Sequence, residues 1–248
     1  MKKNMTKKKK NLKTDSTKKI DVLDNGYVRL VDYMGSDLSV VNAARASYAK
    51  ESEDFNDKDE KLVNFLAKEG HWSPFRHAFI TFEFKAPLMV ARQHWKYVVG
   101  SDHTMDSWNE SSRRYISMEP EFYIPAKDGW RSAPDNMKQG SGDWLPESDG
   151  AMLTDVLGAY VDRGEELYSW AIEEIGVAPE QARLFLAAYG MQVVYRWSCS
   201  LQSVGLFLNQ RLHHTAQYEI SEYAKAVYEL AKPIFPVSLE AIAGASND

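Results

Sequence analysis

The alternating run from Phe79 to Phe84, with Pro87 close behind it, sets the strongest limit on how this chain folds. Phe82 and Phe84 alternate with Thr81 and Glu83, the period-two pattern of a strand with one face on an apolar core and the other toward water. Pro87 suits the first turn of a helix, where its missing N–H would have no partner in any case. On that helix Gln93 shares a face with Lys96 and Tyr97, and Arg92 faces Lys96, at spacings of three and four. A half-exposed strand running straight into a helix marks a mixed α and β chain, with helices packed on a sheet.

The rest of the chain extends this pattern. Tyr27 to Tyr33 reads as a strand and Leu38 to Ala49 as a helix. Asp57 to Lys68 is a second helix, with Leu62, Phe65 and Leu66 on one face and Gly70 placed for a left-handed cap. The Gly, Ser, Pro and Asp content of Gly129 to Gly150 predicts a long loop. Helices follow from Ala151 to about Ile175 and from Pro179 to Ala188, and the β-branched and aromatic residues between Tyr189 and Ser198 favour a strand. A last long helix, starting at Ser203 or Gln210, runs to Lys232 and buries Ile220, Tyr223, Ala224, Val227 and Leu230; Pro233 and Pro236 mark its end. There is no internal repeat and no glycine-rich phosphate loop of the Walker or Rossmann kind.

With 248 residues, 44% of them hydrophobic and 12% aromatic, the chain can bury a large core. Residues 1–20 hold nine lysines and one acid, a formal +8 that leaves −13 on the remainder of a chain of net charge −5. Such a run is expected to be a disordered tail, leaving residues 21–248 as a single domain. The tail lacks the apolar core of a signal peptide, and no apolar stretch is long enough to span a bilayer. The acidic body argues against specific nucleic-acid binding. A single cysteine, Cys199, excludes an intramolecular disulfide and any multi-cysteine metal site, and suits a reducing cytoplasm. His71 and His77 lie six apart with no acid between them and His213–His214 are adjacent, so neither pair has a familiar metal-ligand spacing.

Chemistry concentrates in Ser107-Trp108-Asn109-Glu110-Ser111-Ser112-Arg113-Arg114-Tyr115. Two guanidinium groups, several hydroxyls, an amide and a carboxylate suit a phosphorylated sugar, since Arg binds phosphate bidentately and the neutral groups bond ribose or phosphate. A solvated polar turn is the plainer reading of the same string.

The order of motifs resembles one family, the flavin-dependent thymidylate synthases. The matching pieces are Gly-His-x-Ser-Pro-Phe-x-His at 70–77, Ala91-Arg92-Gln93, Trp108-Asn109-Glu110-x-Ser112-x-Arg114-Tyr115, Glu121-Phe122-Tyr123-Ile124-Pro125, Ala182-Arg183, and Phe207-Leu208-x-x-Arg211-Leu212 followed by Ala216-Gln217-x-Glu219-Ile220. The resemblance spans about residues 27 to 236. It implies an α+β fold, an antiparallel or mixed sheet packed with long helices, with residues 21–248 as a single catalytic domain. It also implies reductive methylation of dUMP to dTMP with FAD, with NADPH and methylenetetrahydrofolate as co-substrates, in a homotetramer whose active sites are shared between subunits.

The resemblance also implies roles for single residues. Arg211 would favour the ionised imide of the pyrimidine, because carbon five is a poor nucleophile until the ring is electron-rich and a fixed cation stabilises that charge. Gln93, Ser112, Arg114, Arg183 and Arg211 would bind dUMP, with Arg114 the phosphate partner. Ser73, Lys96, Tyr97, Glu110 and Ser200 would contact FAD, in company with His71 and His77. Ser112 is then a ligand and not a nucleophile, and Cys199 has no obvious base beside it. Departures cluster on the flavin side. Lys96-Tyr97-Val98 stands where the family carries Arg-His-Arg, an insertion spans Ser101 to Asp106, and Ser200-Leu201-Gln202 replaces Asn-Ala-Arg. Leu206 and Thr215 replace an Asn and a His. Two other readings therefore stay open: a related enzyme that modifies pyrimidine carbon five differently, for instance by hydroxymethylation, and a nucleotide-binding homologue that has lost catalysis.

Overall fold

A computed structural model describes residues 18–100, 106–111, 120–134 and 140–244. Five strands form one antiparallel sheet: β1 (Lys19–Val22), β2 (Gly26–Met34), β3 (Phe79–Pro87), β4 (Ser107–Glu110) and β5 (Gln192–Ser200), in the order β1-β2-β3-β5-β4. The register pairs Phe82 with Trp197 and Phe84 with Tyr195, so aromatic rings from the two central strands line one face. On the other face Glu83 accepts from Arg29, Arg196 and the Tyr27 hydroxyl. The alternation visible in the sequence thus separates an aromatic core from a charged face.

Helices pack on the aromatic face of the sheet at 88–100, 201–211 and 218–231, and elsewhere against one another or the turns. They are α1 (Asp37–Arg45), α2 (Asp57–Lys68), α3 (Leu88–Gly100), α4 (Glu147–Glu173), α5 (Pro179–Ala182), α6 (Leu201–Arg211), α7 (Tyr218–Ala231) and α8 (Pro236–Gly244), with 3-10 turns at Ala46–Tyr48, Ser73–His77 and Arg183–Phe185. Asn56 caps α2 through a reciprocal box with Asp59. Gly70 ends that helix at φ +67°, with the amide of His71 reaching back to the Leu66 carbonyl, as its position predicted. Among the described residues no helix is long and apolar enough to cross a membrane.

Several expected boundaries move. Lys19 and Ile20, expected in the tail, belong to β1, where Lys19 pairs with Asp21 and lies over the Tyr27 ring; residues 1–17 lie outside the described residues. The helix expected to Ala49 ends at Arg45 in a 3-10 turn closed by Ala49 at φ +52°. Most of the helix expected from Pro179 to Ala188 is irregular: α5 stops at Ala182 and its 3-10 extension ends in extended Leu186. There the Phe185 carbonyl packs so near Gly164 of α4 that a Cβ on Gly164 would lie 2.7 Å from it.

The single long helix expected up to Lys232 is two helices. Between α6 and α7 the ring of His213 bonds both the hydroxyl and the amide of Thr215, and the Ala216 amide takes the His213 carbonyl. These local bonds replace helical ones and turn the chain. Pro236 starts a helix instead of ending one, α8, whose amides at Val237 and Ser238 are held at 2.9 Å by the buried carboxylate of Asp37 in α1. Within the expected loop, Arg131 bridges Trp144 and the Ser132 amide bonds the Asp143 carbonyl. Ser107 to Glu110, read as a polar turn or loop, is an edge strand.

Candidate nucleotide and flavin site

Helix α3 leaves the sheet directly from β3 and passes across the start of α6, so its residues divide between core and surface. Tyr97 is buried, and its hydroxyl donates to the Ser203 carbonyl at 2.9 Å. Burial and the charge of Asp106 push the phenol pKa well above its ordinary value. Tyr97 therefore faces the chain's own core, although the resemblance aligns it with a flavin-contacting position. Lys96 is exposed, and Arg92 lies over the exposed Trp95 ring at 5.2 Å. Glu110, at the end of β4, forms a niche of about 280 Å³ with Leu88, Ala91, Arg92, Trp95 and Trp108. The residue itself stays exposed, yet desolvation of its carboxyl raises its pKa against the opposing hydrogen bond from Trp108.

Arg211 is the last residue of α6 and is half-buried. Its Nε has no hydrogen-bond partner among the described residues. Burial lowers its pKa and the nearby Tyr97 acts the other way; a guanidinium stays charged regardless. Glu219, eight residues on from Arg211, does not pair with it. Glu219 instead takes Arg131, at 2.9 and 3.1 Å from one terminal nitrogen. That leaves Arg211 as an oriented cation without a described counter-ion, the arrangement that stabilises charge on a bound anion.

Gln93 is half-buried and donates to the Gln217 side chain. Gln217 in turn donates to Glu219 at 2.8 Å, so an uninterrupted chain of bonds runs from Gln93 through Gln217 and Glu219 to Arg131. The Arg131 guanidinium lies over the rings of Tyr218, at 4.8 Å, and Trp144, at 5.4 Å, which themselves meet edge to face. Its far end borders a cavity of about 370 Å³ walled by Met89, Tyr123, Trp130 and Tyr189. This network escaped sequence reasoning. Gln217 and Glu219 stood in a motif with no role, and nothing marked Arg131 within the expected loop.

Ser200 is buried and caps α6, its hydroxyl accepting from the Ser203 amide at 3.3 Å. Ser73, His71 and His77 are exposed on or beside the 3-10 turn, which Arg76 ties to Gln202 at 2.7 Å. The loop aligned with flavin and the altered Ser200-Leu201-Gln202 segment are thereby joined. Asp106, at the end of the insertion, accepts from Trp197 Nε1 at 3.1 Å and from the Ser203 hydroxyl at 2.8 Å. Arg183 is exposed, with its Nε on the Glu180 carbonyl at 3.0 Å. Ser112 and Arg114 lie outside the described residues. The structure thus gathers Gln93, Tyr97, Glu110 and Arg211 around α3, while Arg183 and Ser73 stand on separate turns. Cys199 is buried, and desolvation foremost, with Asp106, pushes its thiol pKa well above the ordinary value, which leaves little thiolate for nucleophilic attack.

The family described as thymidylate synthase complementing protein matches residues 29–237. This chain belongs to that family. It is 37% identical over 223 residues to the flavin-dependent thymidylate synthase of Thermotoga neapolitana, covering 90% of this chain and 93% of that one. It is also 37% identical to the enzyme of the same description from Ehrlichia ruminantium, over 89% of this chain and 71% of that one. Among solved structures, the UMP/dUMP methylase PolB from Streptomyces cacaoi, bound with 5-Br dUMP, superposes with a TM-score of 0.76 at 28% identity, over 91% of this chain and 97% of that one. The thymidylate synthase complementing protein fold accounts for the antiparallel sheet and its covering helices, and family membership extends over both helices that carry Gln93 and Arg211.

Proposed function

We propose that this chain catalyses the flavin-dependent reductive methylation of dUMP to dTMP, taking the carbon from methylenetetrahydrofolate and electrons from NADPH. The observation that carries the reading is Arg211, a half-buried cation at a helix end with no described counter-ion. Placed at the imide edge of uracil, it favours the ionised ring and so makes carbon five nucleophilic. Gln93, held by Gln217, offers its amide to the nucleotide, and Ser112, Arg114 and Arg183 complete the dUMP set by family position, Arg114 on the phosphate. No protein nucleophile is needed, which agrees with the inert Cys199.

Flavin fits the residues present. Arg92 and Lys96 are exposed one turn apart on α3 with the exposed Trp95 between them, a cationic and aromatic surface suited to a diphosphate and a flat ring. Lys96, Glu110 and the exposed Ser73 turn would hold FAD, with Tyr97 and Ser200 shaping the site from behind. When bound, the flavin supplies the reducing equivalents and the one-carbon relay. A carbon that arrives at the methylene level needs two electrons to become methyl, and NADPH is their source. The buried Tyr97 favours hydroxymethylation as the second reading, since withdrawing a polar ring from the surface weakens the grip on flavin while the nucleotide set is kept.

The chain is read as a cytoplasmic homotetramer. Support comes from α4, which is apolar on two faces: Leu157, Val161 and Ala171 pack inward while Met152, Val156, Tyr160 and Trp170 form an exposed stripe. The test is a coupled assay with dUMP, methylenetetrahydrofolate, NADPH and FAD: dTMP identified by mass bears out the reading, and a hydroxymethyl product replaces it with the second one.

A further inference from the structure

Two buried nitrogen atoms on facing parts of α3 and α6 lack a hydrogen-bond partner among the described residues: Nε2 of His94 and Nε of Arg211. His94 is 1% exposed, and its ring is enclosed by those of Phe84, Trp108, Tyr195, Trp197 and Phe207. It stacks on Phe207 with centroids 4.6 Å apart and planes 26° apart. Phe207 precedes Arg211 by four residues on α6, so both lie on one helix face and the imidazole sits against the turn that carries the guanidinium. Burial foremost, and then the charge of Arg211, hold the imidazole neutral, its pKa down to about 3.

A neutral imidazole has one donor and one acceptor, and the proton's place depends on what each nitrogen faces. Nδ1 lies 3.1 Å from the Tyr195 hydroxyl. An N–H aimed from Nε2 toward a cation would be repelled, whereas a lone pair there is attracted. The Nε of Arg211 is a donor only. The two unpartnered atoms are thus complementary in sign and in hydrogen-bonding role.

We propose that His94 is a positioning residue for Arg211. Its Nδ1–H donates to the Tyr195 hydroxyl, and its Nε2 accepts from the Nε–H of Arg211 through one bridging water, which turns the two terminal nitrogens of the guanidinium outward to the pyrimidine imide. The proposal rests on the nucleotide reading given above. Other ionisable groups bearing on the pair are Tyr97, whose charge acts on Arg211, Asp106 beside Tyr97, and Tyr223 and then Glu110, which act on Tyr195. Burial keeps all three phenols neutral, so Tyr195 meets the imidazole as an uncharged hydroxyl.

The test uses the full chain and 5-bromo-dUMP, whose halogen acidifies the imide and whose ultraviolet spectrum reports its ionisation. In His94→Phe the ring packing is kept and the acceptor removed. The expected result is unchanged or raised thermal stability, an imide ionising about one pH unit higher when bound, and kcat/KM for dUMP about tenfold lower. His94→Gln, which returns an acceptor, should recover part of both losses. Wild-type protein that ionises the bound imide while His94→Phe does so equally, with turnover within about twofold, overturns the role of His94 alone. Wild-type protein that fails to bind 5-bromo-dUMP overturns the nucleotide reading together with it. If His94→Phe does not fold, Tyr195→Phe decides, since it removes the oxygen that sets the tautomer; a shift of the same sign is expected, and none contradicts the proposal.

Discussion

Arg211 and Cys199 assign opposite chemistries to two residues of neighbouring elements. If a fixed cation activates the pyrimidine, Arg211→Ala lowers kcat/KM for dUMP by about two to three orders of magnitude, with the thermal midpoint little changed, because the side chain has no described ion pair to lose. Cys199→Ala is expected to keep turnover and to lose about 1 kcal/mol of stability from the small buried volume removed, measured by urea denaturation. A folded Cys199→Ala enzyme without activity would contradict the mechanism. The buried His94 makes stability depend on pH. The unfolded imidazole binds a proton below the ordinary value of 6.5 while the folded one waits until about 3, so stability is full above 6.5 and declines as pH falls toward 3. His94→Phe removes that slope, which pH-dependent melting curves read directly.

Among the elements, the polar face of the sheet and the network at the start of α7 each support a prediction. Burial alone would raise the Glu83 pKa, but hydrogen bonds from Arg29, Arg196 and Tyr27 outweigh it and lower it from 4.5. Its contribution is therefore present above 4.5 and lost as pH falls through the lowered folded value; Glu83→Gln should flatten the acid limb of the stability curve. Glu219→Ala strands Arg131, whose side chain is 15% exposed, costs about 3 kcal/mol and raises KM for dUMP by loosening Gln217 and Gln93. The same elements show what the sequence could reveal. Strand β3, helix α2 with its Gly70 cap and the buried stripe of α7 were legible because period and capping residues act locally. The break between α6 and α7 was not, since it depends on His213 folding back on Thr215 within a stretch that otherwise suits helix. Helix α8 was hidden because its cap, Asp37, is 200 residues away. Of the site, Arg211, Gln93 and Glu110 were marked by motif, whereas Arg131 and His94 acquire meaning only from neighbours brought together by the fold.

For the whole molecule, the exposed stripe on α4 predicts assembly. Val156→Lys with Tyr160→Glu should shift the protein toward smaller species in light scattering and lower activity, because the shared sites of the proposed tetramer would separate; an unchanged mass would place the stripe outside the interface. An antiparallel sheet with one aromatic and one charged face anchors α3 and α6, and these two helices bring Gln93, His94 and Arg211 to one region beside the cationic surface of Arg92 and Lys96. The central claim is that this arrangement methylates dUMP even though Lys96-Tyr97-Val98 stands in the flavin-side triplet. The decisive measurement is turnover of purified, FAD-supplied protein with dUMP, methylenetetrahydrofolate and NADPH, following flavin absorbance and product mass together. The account predicts flavin reduction by NADPH and a product one CH2 heavier than dUMP. A protein that binds flavin and dUMP yet forms no such product would contradict it.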